Sequence, residues 1–489
     1  MTSLDELRNE RIKKLEVLQE RGRVPYPVFA RYDATLKETR EKFTTLVKRK
    51  KPLFLVGRVT ALRKQGGLIF LNFTDGTDTF QGLFKKNEMY VNEFKDFADT
   101  VDVGDFVELQ GTLFTTKKRE KTILVKKWNM LVKSLRPLPE KWHGLKDVEE
   151  KFRKRYLDTL MSSESRERFI SRSRLIGALR RVLTEADFLE VETPVLQPLY
   201  GGASAEPFVT HHNALDVDLY LRISNELYLK RLLVGNFPKV FEIYKAFRNE
   251  GIDVTHYPEF TMVEWYESYS DADSQMAFVE QVVEVLVKEL FKGKSFTWNE
   301  KDISVKKPFK RVTYASVLKR YALIPDIETI DREALSVKAK QLSVSVGEGE
   351  SKEKILDNIF KKACRPKIIQ PTFIIDYPAN ALPLAKKKEE NDALVDAFQL
   401  VIGGVELSKG FSELNDSIEQ RARFKGQEAN RSTGDKEAQQ LDEDFLEALE
   451  HGMPPAGGVG IGIDRLVMLL TDTKNIKDVI LFPAMRQKE

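Results

Sequence analysis

Three textures of apolar and polar positions follow one another along this chain. Leu4, Leu7, Ile12, Leu15 and Leu18 recur at helical spacing. Ser3 with Glu6 makes a capping box ahead of them, and Gly22 with Pro25 ends the helix. Arg8, Arg11, Lys13 and Lys14 fall on its other face, where they would run along phosphates. From Leu53 to Leu135 the pattern shortens to five strand-like runs, FLVGRVTALR, GGLIFLNFTD, DTFQGLFKK, DFVELQGTLFTT and TILVKKWNMLV. GG, DG and KK turns separate them, and a polar helical segment, Asn87–Phe97, lies between the third and fourth. Five strands with one helix is the plan of an OB-fold, a small barrel that commonly takes single-stranded nucleic acid. Phe70, Phe73, Phe80 and Phe84 are candidates to stack on bases. In a small barrel roughly two of three such rings point inward.

RPLPEKWHG (Arg136–Gly144) reads as a proline-bearing linker, and a long α+β region follows. Helical patterns at Ser165–Glu185, Ala272–Phe291 and Lys352–Lys362 flank and interrupt β runs at Lys239–Phe247, Glu259–Tyr266, Ile368–Asp376 and Ala397–Val405. Gly426–Asp444 is polar and reads as a solvated helix or loop. The expected domains are 1–52 (helix and lead-in), 53–136 (barrel), 137–150 (linker) and 151–489, the last with a helical insertion around 271–362.

Composition narrows the class. With 489 residues the chain needs more than one core, and its charged and apolar content is that of a soluble globular protein. One cysteine, Cys364, excludes an internal disulfide, and five scattered histidines make a Cys/His zinc site unexpected. MTSLDELRNE lacks the apolar core of a signal peptide, and no apolar run approaches the ~20 residues of a membrane helix. A cytoplasmic protein is expected. The net charge of +4 divides into +8 over residues 1–150 and −4 over the rest, so the front end suits a polyanion or is a lysine-rich solvated surface.

The chemistry concentrates in three stretches. In FRNEGIDVTHYPEFTMVEWY (Phe247–Tyr266), strand alternation puts Glu242, Tyr244, Ala246 and Arg248 on one face of the incoming strand. Phe260, Met262, Glu264 and Tyr266 share one face of the outgoing strand. If the faces coincide, a guanidinium suited to phosphate or carboxylate stands in line with a flat ring, a carboxylate and a phenol. In GGVGIGIDRLVMLL (Gly457–Leu470), Gly458, Gly460 and Gly462 bare one strand face for a planar base, and Arg465 follows where a phosphate tail would end. In VELSKGFSELND (Val405–Asp416), Glu406, Glu413 and Asp416 would hold magnesium, bind a cationic substrate, or form a solvated acidic edge.

Together these stretches resemble the class II aminoacyl-tRNA synthetases, subclass IIb, and within them the bacterial-type lysyl-tRNA synthetases. FLEVETPVL (Phe188–Leu196) resembles motif 1, FRNEGIDVTHYPEF motif 2 and GVGIGIDRLVML motif 3. ISNELYLKRLLVG, GGASAEPFVTHHNALD and GFSELND resemble lysyl-enzyme blocks between them. The resemblance implies an α+β fold: an antiparallel-sheet class II synthetase catalytic domain, with six strands, preceded by an all-β OB-fold barrel that reads the anticodon. It also implies a homodimer through motif 1, magnesium, and the partners ATP, L-lysine and tRNA(Lys), with no membrane. By position, Arg248 would touch the α-phosphate and the amino-acid carboxylate, Glu250 the adenine amino group and His256 the phosphate tail. Phe260 would stack on adenine, Gly462 would lie beneath the nucleotide, and Arg465 would hold the γ-phosphate. Gly202, Glu226 and Glu264 would hold the α-ammonium, Tyr266 and Glu413 the ε-ammonium, with Phe411 lining the lysine pocket. Glu406 and Glu413 would coordinate magnesium, Glu406 also serving ATP, and Phe70 and Gln81 would contact anticodon bases.

The acid cluster agrees with lysine, whose two ammonium groups both need answering, since a buried unpaired charge costs several kcal/mol. The alternative is an aspartyl or asparaginyl type of class IIb enzyme, and the aspartyl type would need a cation for the side chain there. A protein-lysylating relative would lack the barrel, and a non-catalytic RNA-binding paralogue would be free to lose Arg248 or Arg465. Three positions depart from the family pattern. Gln399 stands where relatives often carry an acid, Lys409 where most place an asparagine, and Asp187 where motif 1 usually has glycine. Lys409 is expected to face away from the ε-ammonium.

Overall fold

The computed structural model describes residues 3–139, 147–347, 350–432 and 440–486, in two compact units, Met1–Lys146 and Asp147–Glu489. Most of the expected linker and part of the 426–444 stretch lie outside the described residues.

In the first unit, helix α1 (Leu4–Glu20) begins at the expected capping box. The Ser3 hydroxyl accepts from the Glu6 amide at 3.1 Å, and the Ser3 amide donates back to the Glu6 carboxylate at 2.6 Å. Two of its basic residues are committed to the unit itself: Arg11 donates to the carbonyls of Ser134 and Val103, and Lys14 pairs with Asp102. Five strands, β1 (Leu53–Gln65), β2 (Leu68–Thr74), β3 (Thr79–Lys85), β4 (Phe106–Thr115) and β5 (Lys121–Val132), close into a barrel in the order β1-β2-β3-β5-β4. Helix α2 (Val91–Thr100) connects β3 to β4 and drives Phe97 against Phe84, ring centroids 3.9 Å apart. Alternation sorts the four phenylalanines: Phe73, Phe80 and Phe84 are core, and Phe70 lies on the outer face.

The second unit is built on one sheet. Its strands are β6 (Leu189–Glu190), β7 (Lys239–Phe247), β8 (Glu259–Ser268), β9 (Lys310–Thr313), β10 (Thr372–Pro378), β11 (Asn391–Ile402), β12 (Val405–Ser412) and β13 (Ala456–Gly462). They lie in the order β9-β10-β11-β12-β13-β8-β7-β6, and the short strand Lys387–Lys388 pairs with β11. The six from β10 to β7 are mutually antiparallel, while β9 and β6 add parallel edges. Helices α3 (Ser163–Glu185), α5 (Ala272–Leu290) and α6 (Ile463–Leu470) cover one face with a core that includes Leu179, Val263, Trp265, Phe398 and Ile461. Helix α4 (Glu226–Val234) approaches from the other side.

Two expectations change here. The Ala397–Val405 run is a hairpin, not one strand: β11 ends at Ile402, which pairs with Val405 across Gly403 and Gly404. Both glycines have positive φ, 60° and 79°, the pattern of a two-residue type I′ turn. The 271–362 segment is also only in part an added helical lobe. Helix α5 belongs to the main core and β9 to the main sheet, whereas helices Tyr314–Ala322, Arg332–Gln341 and Lys352–Ile359 form a separate cluster against β10 and β11. Among the described residues, no helix is long and apolar enough to cross a membrane.

Candidate active site

Register brings the predicted faces together. Across β7 and β8, Glu242 pairs with Glu264, Tyr244 with Met262 and Ala246 with Phe260. Across β8 and β13, Glu264 pairs with Gly460, Tyr266 with Gly458 and Met262 with Gly462. The next strand adds Lys409 opposite Gly460 and Phe411 opposite Gly458, and β11 adds Gln399 opposite Lys409. Paired residues point to the same face, so Gln399, Lys409, Gly460, Glu264 and Glu242 form one row on the side away from the main core.

One end of this face is a buried acid pocket. The Glu264 carboxylate accepts from the Tyr244 hydroxyl at 2.6 Å and from the Tyr266 hydroxyl at 3.1 Å. Burial and the nearby Glu226 push its carboxyl up to about 7 despite those bonds. Gly202, with φ +81°, lies against Glu226 and Ser224: a β-carbon there would meet each at 2.9 Å. Glu413 follows the end of β12 and lies over Gly458, whose missing β-carbon would stand 2.2 Å from Glu413 Oε1 and 2.4 Å from the Tyr266 ring. Glu413 Oε1 is buried without a hydrogen-bond partner, and burial drives the carboxyl up to about 8.

Sequence reasoning missed Lys230. Its ammonium is fully buried, 2.6 Å from Glu226 and 2.5 Å from Glu413, and 5.3 Å from the centre of the Phe411 ring. Burial opposes its charge, but the two carboxylates outweigh burial and hold it above the ordinary lysine range. The signal was present in ELYLKR: Lys230 lies four residues after Glu226 on α4, the spacing of a helical ion pair.

The other end is basic and more open. Arg248 stands at the end of β7 with its guanidinium carbon 5.1 Å from the Phe260 ring centre, and its Nε is buried without a partner. Glu250 projects from the exposed loop that follows. From the same loop, His256 holds Asp253 through Nδ1 at 2.7 Å and meets Arg465 Nη2 through Nε2 at 3.0 Å. Arg465 is aimed by its neighbour Asp464, which accepts from the Thr261 amide and from Arg172, both at 2.6 Å, and so ties α6 to β8. Between the ends, a buried network fixes the strands: Glu242 accepts from Arg222, Thr193 and Asn225 at 2.6 to 2.7 Å.

The expected shared magnesium site of Glu406 and Glu413 does not form. Seven residues of mostly extended strand separate them by on the order of 20 Å. Glu413 is committed to Lys230, and Glu406 pairs with Arg365 at 3.1 Å. Among the described residues, no three His, Cys, Asp or Glu side chains are grouped to hold a metal. Glu406 alone, partly exposed and ionised, suits an ion that arrives with phosphate oxygens.

In the barrel, Phe70 and Gln81 share the outer face of β2 and β3. Asn72, two residues from Phe70, pairs with Gln81, and exposed Arg63 stands opposite Phe70. Gln81 Oε1 accepts from the Thr122 hydroxyl at 2.8 Å.

Residues 147–486 match the family of class II tRNA synthetases (D, K and N), and residues 54–131 match the OB-fold nucleic acid binding domain. A lysine–tRNA ligase of Carboxydothermus hydrogenoformans is 44% identical over 99% of this chain and 99% of its own length. One of Methanoculleus marisnigri is 46% identical over 97% and 94% of the two chains. The chain belongs to the lysine–tRNA ligase family. A third relative of that description, from Moorella thermoacetica, is 45% identical over 98% of the chain. The synthetase is therefore an enzyme of class II with an α+β catalytic unit, and its first unit is an OB-fold, as its strand pattern predicted.

Proposed function

We propose that the synthetase joins L-lysine to tRNA(Lys) through a lysyl-adenylate, with ATP as the activating substrate. The observation that carries the choice of amino acid is the buried pocket of Glu226, Glu264 and Glu413, in which Lys230 pairs with Glu226 and Glu413. Beyond Lys230 the pocket can carry two negative charges, which Glu264 and Glu413, raised to about 7 and about 8 by burial, take up as the two ammonium groups of lysine arrive. Aspartate would add a carboxylate to a pocket already in surplus.

Glu226, Glu264 and Gly202 take the α-ammonium in this reading, and Glu413 Oε1 with Tyr266 takes the ε-ammonium. Phe411 lines the pocket beside them. Arg248 then lies between the two substrates, where its free Nε and the Phe260 ring serve the α-phosphate and adenine. Glu250 reads the adenine amino group, Gly462 lies beneath the nucleotide, and His256 and Arg465 hold the phosphate tail. The lysine carboxylate oxygen attacks the α-phosphorus in line, and the bond to the β-phosphate breaks to release pyrophosphate. The terminal ribose hydroxyl of the tRNA next attacks the adenylate carbonyl and expels AMP as it gives up its proton. The side chains need only align reactants and offset charge; no enzyme nucleophile is required. Magnesium held at Glu406 would neutralise phosphate charge.

The outer face of the barrel, with Phe70 and Gln81, would receive anticodon bases. A homodimer through motif 1 is supported by apolar side chains left exposed there: Leu189 (49%), Val195 (42%) and Leu196 (44%). The setting is the cytoplasm. Pyrophosphate exchange with each of the twenty amino acids tests the reaction. Exchange dependent on lysine is expected, and exchange with aspartate but not lysine would overturn the assignment.

A further inference from the structure

The row of the sheet beyond Gly460 carries chemistry that the lysine pocket does not use. Lys409 points to the site face between Gln399 and Gly460, and no carboxylate among the described residues lies within ion-pair distance of its ammonium. Glu406, one bulge away on the same strand, pairs with Arg365, whose own Nε is buried without a partner. Lys361 lies close by but is answered by Asp357 at 2.6 Å. Arg465 reaches the same strand from α6, its Cδ 3.9 Å from where a β-carbon on Gly462 would stand. Arg365 thus pairs with Glu406, whereas Lys409 and Arg465 have no carboxylate within ion-pair distance among the described residues.

We propose that Lys409 and Arg365 complete, with Arg465, a protein-built polyphosphate seat. The triphosphate of the nucleotide and the departing pyrophosphate are held there by side-chain cations, in place of a multi-carboxylate metal cluster. The proposal rests on the ATP reading above and adds to it a source of positive charge that stays when metal is removed. Three features favour a polyphosphate over a single carboxylate. The cations come from three different elements, they surround a strand bared by Gly460 and Gly462, and one guanidinium N–H is already desolvated and unspent. A desolvated, unsatisfied donor gains most from a charged acceptor. The amide of Gln399, held by the Tyr377 hydroxyl at 3.1 Å, adds no opposing charge.

The test is titration calorimetry of inorganic tripolyphosphate and pyrophosphate into the full chain in excess EDTA. Binding without metal is expected, at least tenfold weaker in Lys409→Met and in Arg365→Gln, and largely retained in Lys409→Arg. Lysine affinity, read on the same preparations, should change less than twofold and shows that the variants are folded. Absence of metal-free binding, or equal binding by wild type and both variants, overturns the proposal. So does a tenfold gain in lysine affinity in Lys409→Asn, which would place the ammonium against the amino acid. Lysine-dependent pyrophosphate exchange with magnesium separates the two levels. If exchange proceeds and metal-free binding fails, only the seat is lost; if exchange fails, the reaction itself is misassigned.

Discussion

At the scale of single residues, the pocket proposed for lysine is a set of carboxylates whose charge depends on company. Glu264 is buried beside Glu226 with its carboxyl raised to about 7, so near neutrality a good part of it is protonated in the free protein. An arriving α-ammonium favours the ionised form, and binding must then expel a proton wherever Glu264 holds one. The expected sign follows. Lysine affinity weakens as pH falls, first below about 8 as Glu413 takes a proton and then more steeply below about 7 as Glu264 does, each adding up to about tenfold per unit. Calorimetry in buffers of different ionisation enthalpy measures both the affinity and the released proton. Glu264→Gln should weaken lysine binding and flatten this dependence, and an unchanged slope would mean that another group titrates. Lys230 makes a second case. It neutralises Glu226 and Glu413 from within, so Lys230→Met leaves two buried carboxylates without their cation. Removing one partner of a buried pair costs about 3–5 kcal/mol. Because substrate ammonium groups can replace part of that charge, millimolar lysine should raise the melting temperature of the variant more than that of the wild type. Equal shifts would show that Lys230 does not share its acids with the substrate.

At the scale of elements, the sequence made the central hairpin readable and hid what depends on turns and distance. Lys239–Phe247 and the following strand were visible because alternation in them carries both the core and the site. The coincidence of their two faces needed only the register that the structure supplies. Gly403–Gly404 was overrun because Val405 continues an apolar run, although the glycine pair marks a hairpin turn. The Glu406–Glu413 metal pair failed for a related reason, since neighbours on a strand are kept apart by its extension. Lys230 was passed over as one of many charges in a helix, its burial invisible until α4 met β12. Asp187 shows the opposite case, where a family departure has a local physical meaning. It follows α3 with φ +65°, in the left-handed region, and its amide closes on the Thr184 carbonyl. Glycine takes that conformation without a β-carbon penalty, whereas aspartate pays part of one. Asp187→Gly is expected to stabilise the fold by about 0.5–1 kcal/mol. The urea midpoint should rise with an unchanged slope, and a fall would mean that the carboxylate does more than occupy a cap.

At the scale of the whole molecule, the reaction divides between two units that the chain builds by different means. The barrel closes on its aromatic core and presents Phe70 outward, and the catalytic sheet turns one face to helices and carries the row from Gln399 to Glu242 on the other. In the reading proposed above, amino-acid activation uses the second unit's face, and recognition of the anticodon uses the first. Phe70→Ala separates the two. Stacking of a base on an aromatic ring is worth about 1–3 kcal/mol, so the KM for tRNA(Lys) in aminoacylation should rise at least about fivefold. Lysine-dependent pyrophosphate exchange without tRNA should keep its rate, because the residues proposed for activation all belong to the second unit. The ring is only partly buried, and the core residues Phe73, Phe80 and Phe84 are untouched, so the barrel should melt as before. An unchanged KM with an intact fold would remove the outer face of β2 from the recognition surface. A loss of exchange would instead mean that the barrel face influences activation, which neither unit's own contacts provide for.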